Sequence, residues 1–434
     1  MAFESFDQAI DYMNSFMNLE RSTDKYSAKT YRLDRVRHML QLLGNPQNSY
    51  RTIHIAGSKG KGSTAAFIAN AIQALGFKTG LYMSPHVSDY RERFSLCGRF
   101  IDDESLINTA EELKQGVQSV EDPTTFELYT VFAFLLFRNV GCEWAVIETG
   151  MGGKLDATNV LLPQASVLTP IELEHTKILG DTIEKIAVEK SKIIKNNTPV
   201  FVSLQKEEVL RVFKDEASSC NSPLYCLSEE LDKIATRCTP NGQYVQLGYK
   251  DGFEAGLRLK MAGDAQAYNV ALALLILRKL DLYSEGTTEK ALEETKLPGR
   301  LENLDYKKRH FYIDGAHTVN SIGFLMDSWK EMTGSKKSLC IFGCVEGKND
   351  SEMLKEMLPC FRKLIIARPG TFKKSNPQAL YETAKSLSDG TEVVLKEEAK
   401  EAVDYAVENT RDGEKILVCG SFYLAGDIKE VLCH

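Results

Sequence analysis

Apolar and polar positions along the chain follow two rhythms: short, nearly all-apolar runs of strand length, and longer stretches with the period of a packed helix. The first short run is "TIHIA", Thr52 to Ala56. It is followed by "TGLYMS" near Tyr82, "WAVIET" from Trp144 to Thr149, "ASVLTPI" from Ala165 to Ile171 and "PVFVSL" from Pro199 to Leu204. Between them, "DESLINTAEELKQGV", "TTFELYTVFAFLLFRNV" and "TIEKIAVEKSKIIK" have helical spacing. This alternation predicts an α/β layered domain with a mostly parallel sheet. The rhythm changes between about Cys226 and Lys260, where "YVQLGYKDGFEAGLRLKM" alternates with period two around a DG turn. That pattern predicts an antiparallel hairpin at an edge of the sheet. A helix resumes at "AQAYNVALALLILRKL", and Pro298 and Gly299 then fall together in "TKLPGRLENL", so a domain boundary is expected near residues 295–300. Beyond it, "HFYIDG", "SLCIFG", "KLIIAR", "TEVVLK" and "KILVCG" predict a smaller Rossmann-like α/β domain of about five parallel strands. The chain thus divides into residues 1–296 and 297–434, with no internal repeat or low-complexity tract.

Composition narrows the picture. At 434 residues the chain is too long for one ordinary core, and its 43% hydrophobic and 26% charged content is that of a globular protein. No apolar run approaches the roughly 20 residues needed to span a bilayer. The opening "MAFESFDQAIDYMNSF" is acidic and amphipathic with no basic leader, so a cytoplasmic address and no membrane partner are expected. A formal charge of -7, with no basic tract, argues against nucleic acid as a partner. The ten cysteines include no CxxC pair, which predicts buried free thiols rather than a zinc site.

The chemistry is concentrated in "IAGSKGKGSTAAFIANAI", Ile55 to Ile72. A glycine loop between a strand and a helix N-terminus aims backbone N–H groups and the helix dipole at one point, where an anion can sit. Lys61 adds a mobile positive charge, and Ser63 a hydroxyl able to reach a metal. The spacing is more compact than GxxxxGK(S/T): Gly57 stands three residues before Gly60, and Gly62 separates Lys61 from Ser63. The plain alternative is a glycine turn that only caps the helix. Glu148 ends an apolar strand, where an acid can hold the magnesium that bridges nucleotide phosphates, or can simply cap the strand. His175 follows another strand end and reads as a metal ligand, a phosphate contact or a structural histidine. Lys190, Lys192 and Lys195 fall on one predicted helix, most simply a solvated face. Asp314 and His317 lie at a strand end of the second domain, either at a ligand-binding edge or in a polar turn.

Taken together, these stretches resemble the folylpolyglutamate synthase and dihydrofolate synthase family of the Mur ligase superfamily. "HIAGSKGKGST" is similar to the family's HVAGTNGKGST, "GLYMSPHVSDYRERF" to its GLYTSPHL segment ending in ER, and "TTFELYT" to TxFE. "ETGMGGKLDATNV" is similar to ExGxGGRLDATN, and "LEHTKILGDTIEKIAVEKSKIIK" to LDHxxxLGxTxxxIAxEKAGIIK. "LPGRLE", "IDGAHTVNS" and "LVCGSFYLAGDI" are similar to WPGRLE, LDGAHNPxS and VTGSLYLVGEV. The chain departs from the pattern at Ser58 and Lys59 (for Thr and Asn), Lys154 (for Arg), Glu174 (for Asp), Lys192 (for Gly) and Thr318 (for Asn). "EGKND", Glu346 to Asp350, is only loosely similar to the family's DKD stretch.

The resemblance implies a P-loop Mur-type central domain over 1–296 and a glutamate-ligase domain over 297–434. It implies an ATP-dependent ligase that phosphorylates a folate or dihydropteroate carboxylate and lets L-glutamate displace the phosphate. Gly57, Ser58, Lys59, Gly60, Lys61, Gly62, Ser63 and Thr64, with Asn269, Arg300 and Asp314, would then bind the nucleotide. Ser84, Glu148 and His175 would hold one Mg2+, and a carbamylated Lys190 would help hold a second. Phe126, Asp156 and Arg93 would contact the folate, and His317 would join Lys61, His175, Lys190 and Asp314 in the catalytic set. Single-subunit action is the family expectation. The alternatives are another Mur-type amino-acid ligase and a non-catalytic nucleotide-binding paralogue.

Overall fold

The computed structural model describes residues 2–18, 32–239, 242–371 and 373–433. Among these, eight strands form the first sheet: β1 (Arg51–Ala56), β2 (Thr79–Tyr82), β3 (Phe94–Leu96), β4 (Arg99–Phe100), β5 (Trp144–Glu148), β6 (Ala165–Leu168), β7 (Val200–Val202) and β8 (Leu224–Cys226). Their order is β4-β3-β2-β5-β1-β6-β7-β8, parallel from β2 to β8, with β3 and β4 antiparallel. β1 is central and pairs with β5 on one side and β6 on the other, and only its first residue is exposed. A strand buried on both sides reads as a continuous apolar run, which is why "TIHIA" is legible.

Apolar side chains cover both faces. On one, Ile53, Ile55, Leu81, Val146 and Val167 pack with the helices Lys61–Ala74 and Asp264–Lys279. On the other, Tyr82, Ala145 and Ile147 pack with Phe6–Asn14, Leu33–Leu42, Asp103–Gly116 and Thr125–Asn139. Thr125–Asn139 begins with a capping box, in which Thr124 accepts from the Glu127 N–H and Glu127 accepts from the Thr124 N–H. The Glu127 carboxylate is buried and also held by Arg35, at 2.9 Å from Nε and 2.8 Å from Nη2.

The predicted hairpin requires correction. The period-two segment forms a separate three-stranded antiparallel sheet, β9 (Leu231–Thr239), β10 (Gly242–Tyr249) and β11 (Glu254–Leu259), in the order β11-β10-β9. The edge of the first sheet is occupied instead by β8. The inward face of the small sheet, Val245, Leu247, Ala255, Leu257 and Leu259, is buried in the same core as the helices Lys61–Ala74 and Asp264–Lys279. Alternation reports one buried face; it does not say which layer covers it.

The last sheet contains the five predicted parallel strands: β13 (Arg309–Ile313), β14 (Ser338–Phe342), β15 (Phe361–Ile366), β16 (Glu392–Leu395) and β17 (Lys415–Cys419). β12 (Glu302–Tyr306) is added antiparallel to β13, giving the order β12-β13-β17-β14-β15-β16. The lysine-bearing helix also differs from expectation. It spans Ile183–Ser191, so Lys190 lies inside it, Lys192 caps it and Lys195 lies beyond it. Lys190 is 1% exposed, not on a solvated face. Cys142, Cys226, Cys340, Cys344, Cys360 and Cys419 are buried and free, while Cys97, Cys220 and Cys238 are half-buried and Cys433 exposed. No described helix is long and apolar enough to cross a membrane.

Removing Arg35 leaves a buried carboxylate unpaired, which typically costs about 3 kcal/mol or more. Arg35→Ala is therefore expected to lower the urea midpoint clearly; an unchanged midpoint would show that the pair adds nothing to stability.

Candidate active site

β1, β5 and β6 all end at the same edge of the first sheet, and the candidate residues gather there. After β1 the chain turns through Gly57–Gly60 into the helix Lys61–Ala74, with Gly60 left-handed at φ 80°. A Cβ at Gly60 would sit 2.4 Å from Asn269 Oδ1, and one at Gly57 would sit 1.9 Å from Thr169 Oγ1, so both positions require glycine. Gly60 offers no side-chain cap, and the N–H groups of Lys61, Gly62 and Ser63 have no carbonyl four residues back within the helix. The first intrahelical bond runs from the Thr64 N–H to the Gly60 carbonyl, 2.9 Å.

The loop itself is partly committed. The Ser58 and Lys59 N–H groups both donate to the Pro170 carbonyl, at 2.9 and 3.2 Å, and Ser58 Oγ donates to the Glu172 carbonyl at 3.1 Å. The free backbone donors are therefore those of the helix start.

Glu148, at the end of β5, lies 3.6 Å from Lys61 Nζ, and its second oxygen accepts from the Ser84 N–H at 3.4 Å. Burial raises the Glu148 pKa, against the pull of Lys61 and Arg300. Behind the loop, Lys190 Nζ donates to the Gly57 carbonyl at 2.8 Å and pairs with Glu174 at 2.9 Å. Burial lowers the Lys190 pKa, and Glu174 opposes it. For Glu174 burial acts upward, but Lys190, Lys61 and His175 outweigh it and bring it to about 2. Burial lowers His175 to about 4, leaving it a neutral imidazole near pH 7.

The six-stranded sheet, the second of the two large ones, supplies the facing wall. Asp314 follows β13 and accepts from the Leu301 N–H at 2.9 Å and the Ala316 N–H at 2.8 Å, fixing the turn that carries Arg300. The Arg300 guanidinium lies 4.6 Å over the Phe422 ring and is close enough to Glu148 to stabilise its charge. His317 Nδ1 sits 2.7 Å from the Gly315 carbonyl, which makes Nδ1–H the donor and leaves the Nε2 lone pair free in the neutral ring. Burial, then Lys59 and Lys348, lower its pKa to about 3.

Three expected substrate contacts are buried. Asp156 is 1% exposed, accepts from Met151 N–H, Thr158 N–H and Thr158 Oγ1, and caps the Ala157–Val160 turn. Arg93 is 2% exposed, bonds His86 Nδ1 through Nε at 2.8 Å and stacks over Tyr129. Phe126 is buried with its ring against Gly150, where a Cβ would come within 2.2 Å, and so flanks the segment that follows Glu148. Lys192 pairs with Glu216 and Lys195 with Asn159, away from the loop.

One residue was missed. Lys348, half-buried in the turn after β14, is near enough to Glu174, His175 and His317 for their charges to affect one another. Its signal in the sequence was "EGKND", Glu346 to Asp350, in the loop after a strand end, at the edge where open α/β sheets bind ligands.

Residues 55–277 match the Mur ligase middle domain, and residues 299–422 match the Mur ligase glutamate ligase domain. The chain is 30% identical over 415 residues to the dihydrofolate synthase/folylpolyglutamate synthase of Bacillus subtilis, covering 92% of this chain and 94% of that protein. Its structure is similar to the folylpolyglutamate synthase of Thermotoga maritima, with a TM-score of 0.84 at 29% identity over 99% of this chain and 96% of that one. It is also similar to the Mycobacterium tuberculosis folylpolyglutamate synthase complexed with ADP, with a TM-score of 0.86 at 26% identity over 99% and 98% of the two chains. With an uncapped helix start, a buried acid and a buried lysine at one sheet edge, and with these likenesses along nearly its whole length, the chain belongs to the dihydrofolate synthase and folylpolyglutamate synthase family of Mur ligases.

Proposed function

We propose that this protein is an ATP-dependent ligase that adds L-glutamate to folates, and also to dihydropteroate, through an acyl phosphate. The observation that carries this reading is the set of N–H groups at Lys61, Gly62 and Ser63, unpaired among the described residues, with the Lys61 ammonium and the buried Glu148 beside them. A helix N-terminus with a lysine suits the phosphates of a nucleotide. ADP in the Mycobacterium tuberculosis relative supports the same ligand here.

A carboxylate is a poor electrophile. Transfer of the γ-phosphoryl group to an acceptor carboxylate oxygen forms an acyl phosphate and ADP. The glutamate amine then attacks the acyl carbon, the C–O bond to phosphate breaks, an amide forms and orthophosphate leaves with the carboxylate oxygen. Lys61 and the helix amides hold and neutralise the phosphates, so most of the catalysis is positioning and charge stabilisation. Arg300 and His317, from the last sheet, close the far side around the nucleotide, where Asp314 fixes the turn that carries Arg300 and Asn269 packs against Gly60. Neutral His317, with Nε2 free, is suited to accept a hydrogen bond from the incoming ammonium.

Mg2+ fits the donor chemistry in part. Among the described residues no three His, Cys, Asp or Glu side chains converge, so an ion here would take most of its ligands from phosphates and water. Glu148 with the Ser84 hydroxyl and His175 would hold it, and it would neutralise charge on the phosphates. A second ion calls for carbamylated Lys190. Burial, which lowers the Lys190 pKa, favours the free amine that CO2 requires, while the ion pair with Glu174 competes with that modification. Phe126 offers a ring edge for the folate. The reading extends to a nucleotide-binding part over 1–296 and a glutamate-ligase part over 297–434, acting as a cytoplasmic monomer on small molecules.

The direct test is ADP release with Mg2+, ATP and L-glutamate, comparing dihydropteroate with tetrahydrofolate. Glutamate-dependent release with both is expected, release with one alone would restrict the activity to that step, and silence with both would turn the reading toward another Mur-type acceptor or a non-catalytic paralogue. Lys61→Ala should lose about a hundredfold or more in kcat with an unchanged far-UV spectrum; near-normal turnover would remove the phosphate assignment. Wild-type activity should rise with added bicarbonate. A Lys190→Ala protein running at the wild-type rate with or without bicarbonate would remove the carbamate.

A further inference from the structure

The phosphate loop is held from behind by a segment outside it. Thr169, just past β6, donates its N–H to the Ala56 carbonyl at 2.9 Å and packs its hydroxyl where a Gly57 Cβ would stand. The Pro170 carbonyl takes both the Ser58 and Lys59 N–H groups. The path of the loop therefore follows wherever residues 169–171 are placed. β6 ends at Leu168 and β7 at Val202, so beyond the Thr169 bond to the end of β1 no described strand pairs with this segment to place it.

The Gln205 side chain takes that role. Its Nε2 donates to the Thr169 carbonyl at 2.9 Å and its Oε1 accepts from the Ile171 N–H at 3.1 Å. One amide thus bridges the two peptide groups that flank Pro170, as a neighbouring strand would. Only a side-chain amide carries both a donor and an acceptor in that arrangement, and asparagine is a methylene too short for the same reach. We infer that Gln205 is a positioning residue for nucleotide binding, which sets the phosphate loop by clamping the Thr169–Ile171 segment whose central carbonyl anchors it. Gln205 does not touch the nucleotide; it acts through Pro170. The inference rests on the ATP-ligase reading and assigns to it a residue outside the loop, the metal ligands and the second sheet.

The test separates a role in nucleotide binding from a merely structural one. Gln205→Met keeps length and shape but removes both bonds. Gln205→Glu keeps the bond from Ile171 but turns a carboxylate oxygen toward the Thr169 carbonyl. ADP affinity by calorimetry, KM for ATP, tetrahydrofolate and glutamate, and Tm are measured for the wild type and both variants. The expected result is about a tenfold loss of ADP affinity and a matching rise in KM for ATP with Met, the scale of one or two ordinary hydrogen bonds, and a larger loss with Glu. KM for tetrahydrofolate and glutamate should stay within about twofold on the same scale. Unchanged ADP affinity in either folded variant overturns the inference, as does an equal rise in all three KM values. Should Gln205→Met fail to fold, Gln205→Glu alone is judged by the same ratio. Wild-type protein that binds no ADP would overturn the ATP-ligase reading itself, an outcome distinct from normal wild-type binding with insensitive variants.

Discussion

The N–H groups that begin the Lys61–Ala74 helix have no partners among the described residues, and much of the surrounding architecture serves to keep them so while making the loop before them rigid. A helix start that is uncapped and half-buried is costly unless something else satisfies it. Gly60 cannot cap it, Gly57 and Gly60 leave room for the Thr169 hydroxyl and the Asn269 side chain, and the Ser58 and Lys59 amides are drawn back to Pro170. What remains is a short row of donors beside Lys61. An anionic ligand completes it.

The electrostatics follow from that row. Lys61 and Lys190 sit in low dielectric, where each would be expensive alone, and Glu148 and Glu174 are placed to offset them. Glu174 responds with a pKa near 2, while His175 and His317 are held neutral. Excess positive charge near the loop, including Lys59 and Lys348, leaves room for the charge of phosphate. The second sheet matters for the same reason: Arg300, His317 and Lys348 reach the site from turns at the ends of its strands, so alignment of the two sheets decides how much of that charge meets the ligand.

Much of this was legible in the sequence where one local rule decided the outcome. "TIHIA" followed by glycines could be little other than a buried strand entering a helix, and the five parallel strands of the last sheet each appear as an apolar run. Where long-range packing decided, the sequence was silent. Period two in "YVQLGYKDGFEAGLRLKM" announced one buried face, but a helix pair, not the main sheet, covers it. Lys190 looked like its neighbours Lys192 and Lys195 because nothing local records that its helix ends at Ser191 and turns that one ammonium under Gly57. Gln205 carries no motif because its partners are backbone atoms of a distant segment.

The central claim is that this loop delivers the γ-phosphoryl group to an acceptor carboxylate. It is tested most directly with tetrahydrofolate labelled with 18O in its glutamate carboxylates, turned over with ATP and glutamate, followed by mass analysis of the orthophosphate released. One labelled oxygen in each orthophosphate is the predicted result, because phosphate leaves the acyl phosphate with the carboxylate oxygen that attacked. Unlabelled orthophosphate accompanying normal product would contradict the account.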